Sequence, residues 1–231
     1  MMASVLVACK GQKQEEPVAE EPTSEQKFAK FRIGVSENPD LKKSFTVLAK
    51  AEAIEQLEVL PSEDPDKAVA KIKLSDDSIG YVKARHLGGQ PVVFTQETKA
   101  FDRNNATSRV KQTIPVGSIG FIMDERKNWV QIYVGKIEDT WVTDEWVEGG
   151  YEMNSDLLLE ARDLEEARNT LLDEKAKDEA KSEALEKLEK LKSSSTVIAQ
   201  VAKEFAEELE AKGQEDVPEV PEVDPAAEVT E

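Results

Sequence analysis

Cys9 and His86 are each the sole residue of their kind in the chain, and this bounds the available chemistry. A zinc site of the usual kind needs three or four Cys and His ligands, a disulfide needs two thiols, and a serine triad needs an imidazole between a nucleophile and a carboxylate. One of each builds no such zinc site, no internal disulfide and no self-contained triad. His86 is flanked by Arg85 and Leu87 with no carboxylate motif beside it, and it reads as a surface or half-buried residue. Carboxylates acting alone, as in glycosidases, are the remaining enzymatic option, and no spacing nominates a pair. Asp76-Asp77-Ser78 and Glu138-Asp139 fall at matching hairpin tips, where turns favour acidic residues anyway, so they are not read as calcium ligands. The expectation is a protein without metal, without cofactor and without enzymatic activity.

The charge balance narrows the partners. Asp and Glu number 48 against 30 Lys and Arg, a formal charge of −18 over 231 residues, which argues against a phosphate-reading surface and against nucleic acid. No run of 18 apolar residues exists, so no helix is expected to cross a bilayer. Residues 1–8 (MMASVLVA) are a short apolar run that ends at Cys9, and Lys10–Lys27 follows with no aromatic residue but much Glu, Gln and Pro. Leu6-Val7-Ala8-Cys9 resembles the lipobox of bacterial lipoproteins. The resemblance implies cleavage before Cys9 and lipid attachment at its thiol. The basic residues that open such a leader are missing, and a start codon assigned too late would account for that; the alternative is an apolar terminus with an incidental thiol. Residues 10–27 read as a disordered tether that lifts the folded part from the headgroups.

From Phe31 onward, short alternating runs separated by turn residues indicate small all-β units. They repeat. Val69-Ala-Lys-Ile-Lys-Leu74 lies sixty residues before Trp129-Val-Gln-Ile-Tyr-Val134, and at that offset Tyr81-Val82 precedes Trp141-Val142, Leu87 precedes Val147 and Gly89 precedes Gly149. Upstream, Leu48–Leu60 matches Val110–Ile122 at an offset of sixty-two. Units of this size close their edges best by curling into a barrel. The succession resembles the bacterial SH3-like (SH3b) domain, through Asn128-Trp129-Val130-Gln131-Ile132 and Thr140-Trp141-Val142 in one copy and Ile79-Gly80-Tyr81-Val82 in the other. The resemblance spans about residues 31–150 and implies two tandem SH3-like barrels, with cell-wall peptide or a protein partner as the ligand class.

Period-2 alternation assigns Val130, Ile132 and Val134 to the core, so Trp129 and Tyr133 point outward where the first copy has Val69 and Lys73. Trp146 stands where the first copy has His86. Trp129, Tyr133 and Trp146 are therefore the candidate ligand-binding residues, since exposed aromatic residues supply stiff contact area; the alternative is that the first module or the long helix covers them. Trp141, beside Val142 in the closing strand, reads as structural.

Ser155–Lys192 lacks Gly and Pro and is rich in helix formers, with Ser155 as its cap. Leu157, Leu164, Leu171 and Leu185 keep heptad spacing, and Glu183 is placed to pair with Lys187. Ser193-Ser194-Ser195 interrupts, and Thr196–Lys212 resumes with Val197, Ile198, Val201, Phe205 and Leu209 on one side. The second segment is expected to fold back on Leu185, Leu188 and Leu191 in a monomer; the alternative is a dimeric coiled coil. Gly213 should end the helix, leaving a disordered acidic tail with seven carboxylates, no cation and the run Val-Pro-Glu-Val-Pro-Glu-Val-Asp-Pro. The expected organisation is a truncated leader (1–9), a tether (10–27), two SH3-like modules (28–90 and 91–151), a two-helix arm (152–212) and a tail (213–231), in a lipid-anchored protein of the bacterial envelope, at the outer membrane or its periplasmic face. The anchor reading predicts that the full-length protein partitions into detergent phase and that Cys9→Ser abolishes this. Equal aqueous partitioning of both forms would overturn it.

Overall fold

The computed structural model describes residues 24–137 and 139–215, and the side chains among them up to 211. Cys9, most of the tether and the tail lie outside the described residues. The fold is β plus α: two antiparallel seven-stranded sheets followed by three helices. The first sheet is formed by β1 (Glu25–Ala29), β2 (Ile33–Ser36), β3 (Ser44–Leu48), β4 (Ala53–Leu60), β5 (Val69–Lys73), β6 (Ile79–Lys83) and β7 (Leu87–Gly88), in the spatial order β3-β2-β6-β5-β4-β1-β7. The second is formed by β8 (Pro91–Phe94), β9 (Thr98–Phe101), β10 (Val110–Ile114), β11 (Ile119–Arg126), β12 (Trp129–Tyr133), β15 (Glu145–Val147) and β16 (Tyr151–Glu152), with β13 (Gly135–Ile137) and β14 (Thr140–Val142) as a separate hairpin. Its order, β10-β9-β15-β12-β11-β8-β16, repeats the first strand for strand.

Neither ladder closes, which departs from the expected barrels. The terminal strands β7 and β16 are two residues long, and β7 is covered by the second unit. Gly88 of β7 lies so close to the second unit that a Cβ there would sit 3.0 Å from Phe121 Cβ. The tether expectation also ends early, because Glu25, Gln26 and Lys27 pair with Gln56, Glu55 and Ile54. Backbone pairing needs no apolar side chain, so composition alone hid this strand.

Strand pairing corrects the alignment of the two copies. Lys71 opposes Tyr81 and Ala70 opposes Val82, while Gln131 opposes Trp146 and Val130 opposes Val147. Tyr81 thus corresponds to Trp146, an offset of 146 − 81 = 65, and not to Trp141. The β13–β14 hairpin is an insertion that displaced the match. Upstream, Leu60 opposes Val69 and Arg126 opposes Trp129, an offset of 126 − 60 = 66, because residues 61–68 join β4 to β5 where Lys127 and Asn128 alone join β11 to β12.

The corrected register places Gly80 opposite Ile72 and Glu145 opposite Ile132. A Cβ on Gly80 would strike Val35 Cγ1 and press on the Phe45 ring. The second unit has Ala100 and Lys111 at the places of Val35 and Phe45, and this leaves room for a side chain. Glu145 is 2% exposed, bonded to Lys111 Nζ at 2.7 Å and to the Thr143 and Asp144 amides at 2.7 and 3.0 Å. Burial pushes its carboxyl up, yet the ammonium and the two amides together hold it below the ordinary glutamate value. One core position is thus glycine against bulk in one copy and a buried ion pair in the other.

Among the described residues the helices number three where two were expected: α1 (Ser155–Leu172), α2 (Asp178–Lys192) and α3 (Val197–Glu215). Asn154 caps α1, one residue before the expected Ser155, its side chain accepting from the Asp156 and Leu157 amides at 2.9 and 3.1 Å. The break after α1 falls where the sequence has almost nothing to bury; the Asp173 carboxylate accepts from the Lys175 amide at 2.9 Å and turns the chain. Lys187 consequently reaches Glu166 on α1 at 2.6 Å and makes no salt bridge to Glu183 among the described residues. Ala184, Leu188 and Leu191 face inward while Leu185 is 49% exposed. The α3 stripe is as expected, with Ile198, Val201 and Phe205 buried, but α3 runs through Gly213 to Glu215.

All three parts meet in one apolar cluster. Phe28 and Ala51 come from the first unit, Val93, Ile119 and Phe121 from the second, and Leu157, Leu164, Leu188, Ile198 and Phe205 from the helices. Phe205→Ala should lower stability to chemical denaturation by about 3 kcal/mol. Gly80→Ala should be destabilising, and adding Val35→Ala should recover part of the loss. For Glu145 the depressed folded pKa sets the sign: its contribution is full above the unfolded carboxyl value and is lost as pH falls through the lower folded value. Denaturant melts of Glu145→Gln should therefore show a shallower acid loss of stability than wild type in that window.

Candidate functional site

Burial alternates along β12, with Val130 and Ile132 buried and Trp129, Gln131 and Tyr133 half-buried. Residues directly opposite one another on antiparallel strands share a face. Trp146 opposes Gln131, Phe101 opposes Trp146, Arg126 opposes Trp129 and Phe121 opposes Tyr133. The three aromatic residues singled out in the sequence thus lie on one outer face, joined by Phe101, Phe121 and Arg126. The matched face of the first unit carries Tyr81, Ser36, Glu55 and Leu60, with Val69, Lys71 and Lys73 on the central strand. Where the second unit has Phe121 and Tyr133, with ring centroids 6.4 Å apart, the first has a 3.6 Å salt bridge between Glu55 and Lys73.

The two ends of this face differ. At one end Tyr133 is covered by the first unit: the Lys30 ammonium lies 4.7 Å from its ring centroid, and burial pushes its phenol pKa up. Lys30 is fixed by donating to the Arg85 carbonyl at 3.1 Å, and its own pKa falls through burial and the nearby Lys27 charge. Tyr133 is therefore an interface residue in this structure. At the other end Trp129 meets Phe101 edge-on, with centroids 5.3 Å apart at 90°, and keeps part of its ring free. Trp146 is 7% exposed, with the Arg126 guanidinium 5.3 Å from its ring. It is a floor beneath the patch. Phe101 and Arg126 escaped sequence reasoning because only strand pairing, not proximity in the chain, brings them beside Trp129.

Trp141 is corrected in the opposite direction. It is 60% exposed, on the inserted hairpin opposite Lys136, because it does not occupy the closing strand that the repeat offset assigned to it.

Three concavities lie elsewhere among the described residues, one of them a shallow polar one of about 340 Å³ in the loop from Asp102 to Arg109. A cleft of about 290 Å³ opens where the two units meet α1, with Lys50, Lys136, Glu165 and Arg168 on its walls. Its cations are largely answered from within: Lys50 pairs with Glu165 at 2.6 Å and Lys136 with Asp139 at 3.2 Å. The Arg168 guanidinium lies 4.9 Å from the Phe205 ring centroid with its Nε buried and unpartnered. Burial lowers its pKa, and Glu208 and Glu204 act against that. A groove of about 250 Å³ on the first unit is lined by Phe31, Arg32, Leu41, Lys83 and His86 among others. The His86 ring lies 4.9 Å from that of Phe31. Burial lowers the His86 pKa, and Arg85, Lys83 and Lys30 lower it further. Among the described residues the imidazole makes no hydrogen bond to a hydroxyl or carboxylate, and no group of three or more His, Cys, Asp and Glu is placed to hold a metal ion.

No protein-family model matches the chain, and no curated protein does either. Two solved structures, NlpC2 and NlpC1 from Trichomonas vaginalis, align over 64% and 66% of this chain at 12% and 11% identity, with TM-scores of 0.25 and 0.24. The alignments cover 57% and 55% of those chains, so this chain spans little over half their length. At that level of likeness neither structure bears on the fold or the chemistry of this protein.

The geometry separates packing from display. In thermal melts Trp129→Ala should cost clearly less stability than Ile132→Ala, whose side chain is fully buried and whose loss leaves a cavity worth about 2–5 kcal/mol. Equal losses would mark Trp129 as a packing residue.

Proposed function

We propose that the protein is a non-enzymatic, lipid-anchored component of a bacterial envelope, attached through Cys9, that binds a cell-wall peptide or a protein partner through two SH3-like modules. The repeated strand order supports treating the β units as copies of one module, and the lipobox resemblance supports the anchor. The observation that carries the reading is the divergence of the outer faces. Two copies of one pattern need the same core, yet only the second places Trp129, Phe101 and Arg126 together on a sheet face whose counterpart is Val69, Ser36 and Leu60. A partly free tryptophan flanked by an edge-on ring and a guanidinium is what peptide-binding hot spots are made of.

The rival reading, a scaffold that assembles through its helices, has less support. The apolar residues Leu188, Leu191, Val201 and Phe205 are packed in the central cluster, and Leu159, Leu172 and Leu185 remain exposed without forming the sustained heptad seam a coiled coil requires.

Recognition is assigned to the second module, with Trp129 at its centre. Titration of purified peptidoglycan stem peptides, followed by tryptophan fluorescence, should show Trp129→Ala weakening binding by about 2 kcal/mol or more, roughly thirtyfold. Lys73→Ala should change it little. Loss of binding on Lys73→Ala with Trp129→Ala silent would overturn the assignment.

A further inference from the structure

The cleft where the two units meet α1 holds one charge that the fold itself does not answer. Three cations, Lys50, Lys136 and Arg168, stand on its walls against the single carboxylate of Glu165, in a chain of formal charge −18. Lys50 is matched by Glu165 at 2.6 Å. Lys136 reaches Asp139 only at the exposed tip of the inserted hairpin, where such a pair holds weakly. Arg168 has no such partner: its Nε is buried without an acceptor among the described residues, and its guanidinium rests on the Phe205 ring. Glu204 and Glu208 of α3 act on it through space, but both are exposed and neither forms a salt bridge with it among the described residues. A buried donor without an acceptor is costly and seldom left so. The guanidinium fork matches the two oxygens of one planar acid group.

The β side of the cleft is held in place. Gly117, at a φ of 83° that favours glycine, turns the loop 115–118. Its amide donates to the Phe94 carbonyl at 2.8 Å, and the Phe94 amide donates to the Ser118 carbonyl at 3.0 Å. Val116 and Ile137 are half-buried and line the cleft with the buried Leu164, while Ser118 and Asn169 add polar groups to the wall. A volume of about 290 Å³ suits a small ligand. Charge selects among acids: one unanswered guanidinium calls for one negative charge, and Glu165 repels a second.

We propose that this cleft binds a small aliphatic monocarboxylate, free or as the end of a peptide, with its acid group on Arg168 and its apolar tail against Val116 and Ile137. Lys136 adds attraction at a distance. None of Trp129, Phe101 and Arg126 lines the cleft, so the proposal does not rest on the reading of the aromatic face.

The Arg168 Nε–H has its own signal in proton–nitrogen NMR spectra of the full-length protein, assigned through its bonds to the backbone. Titration with 3-methylbutanoate should move that signal together with the Gly117 amide and saturate with a Kd of about 1 mM or below. 3-Methylbutanamide has the same shape without the charge, and 2-methylpropylphosphonate has the same tail with two charges; each should bind about tenfold more weakly. Arg168→Lys keeps the charge but not the fork and should weaken binding about tenfold. Asn169→Asp places a second carboxylate on an exposed part of the wall. It should leave thermal melts unchanged and weaken binding about threefold, with a smaller loss at high salt. N-acetylglycylvaline carries the same tail and acid on a peptide: binding tighter than that of 3-methylbutanoate assigns the site to peptide ends, and weaker binding assigns it to free acids. No saturation by about 10 mM, equal binding of the amide, or tighter binding of the phosphonate would overturn the proposal. So would affinity indifferent to Asn169→Asp, the variant that decides the matter should Arg168→Lys fail to fold.

Discussion

The apolar cluster shared by both sheets and all three helices is the constraint on which the rest of the molecule depends. Neither β unit completes its own surroundings. The short strand that ends the first sheet leans on Phe121 of the second, and Ile119 and Phe121 share a cluster with Phe28, Leu157, Leu188 and Phe205. Each unit alone is close to the lower limit for a self-sufficient core. Joining them around a helical layer lets two open sheets be stable without closing, since the apolar surface that neither small unit can bury alone is buried in the shared cluster. The helical arm is therefore part of the fold and not a spacer between the β units and something else.

Seen from that junction, the two copies have diverged under different demands. At the outer face, Glu55 and Lys73 of the first copy are an ordinary exposed ion pair, whereas Phe121 and Tyr133 of the second are apolar because that end of the sheet is docked. In the interior the same ladder position holds Gly80 in one copy and Glu145 in the other, and three residues changed together: Gly80 with Val35 and Phe45, Glu145 with Ala100 and Lys111. A buried carboxylate is tolerated only with partners for its oxygens, and an ammonium and two backbone amides supply them here.

Much of this was legible in the chain before the structure. Alternation and turn residues marked two β units followed by helices, and the inward set Val130, Ile132 and Val134 is as read. The α3 stripe was plain because its apolar residues recur at helical spacing. The offset of the repeat was not legible, since Trp-Val occurs twice within seven residues, at Trp141-Val142 and Trp146-Val147. Composition cannot tell which pair closes the sheet; only the ladder to Gln131 does. The helix break after Leu172 was missed because no Gly or Pro marks it, and β1 was missed because its pairing is carried by backbone. Of the aromatic trio, the shared face was foreseeable by period, but which of its members stays free depends on what docks against each end, and that is a property of the assembled fold.

The position of β1 within the first sheet matters for any load carried by the chain. It is the first strand among the described residues yet lies between β4 and β7, with Gln26, Lys27 and Phe28 paired on one side and Phe28 and Ala29 on the other. A pull applied at the N-terminus therefore enters an internal strand, and along its axis it must break several ladder bonds together before any residue comes free. An edge strand would peel one pair at a time. Resistance of this kind is set by the unfolding rate and not by equilibrium stability, so a protein held by its N-terminus in a moving environment would keep its fold under tension longer than its modest β units suggest.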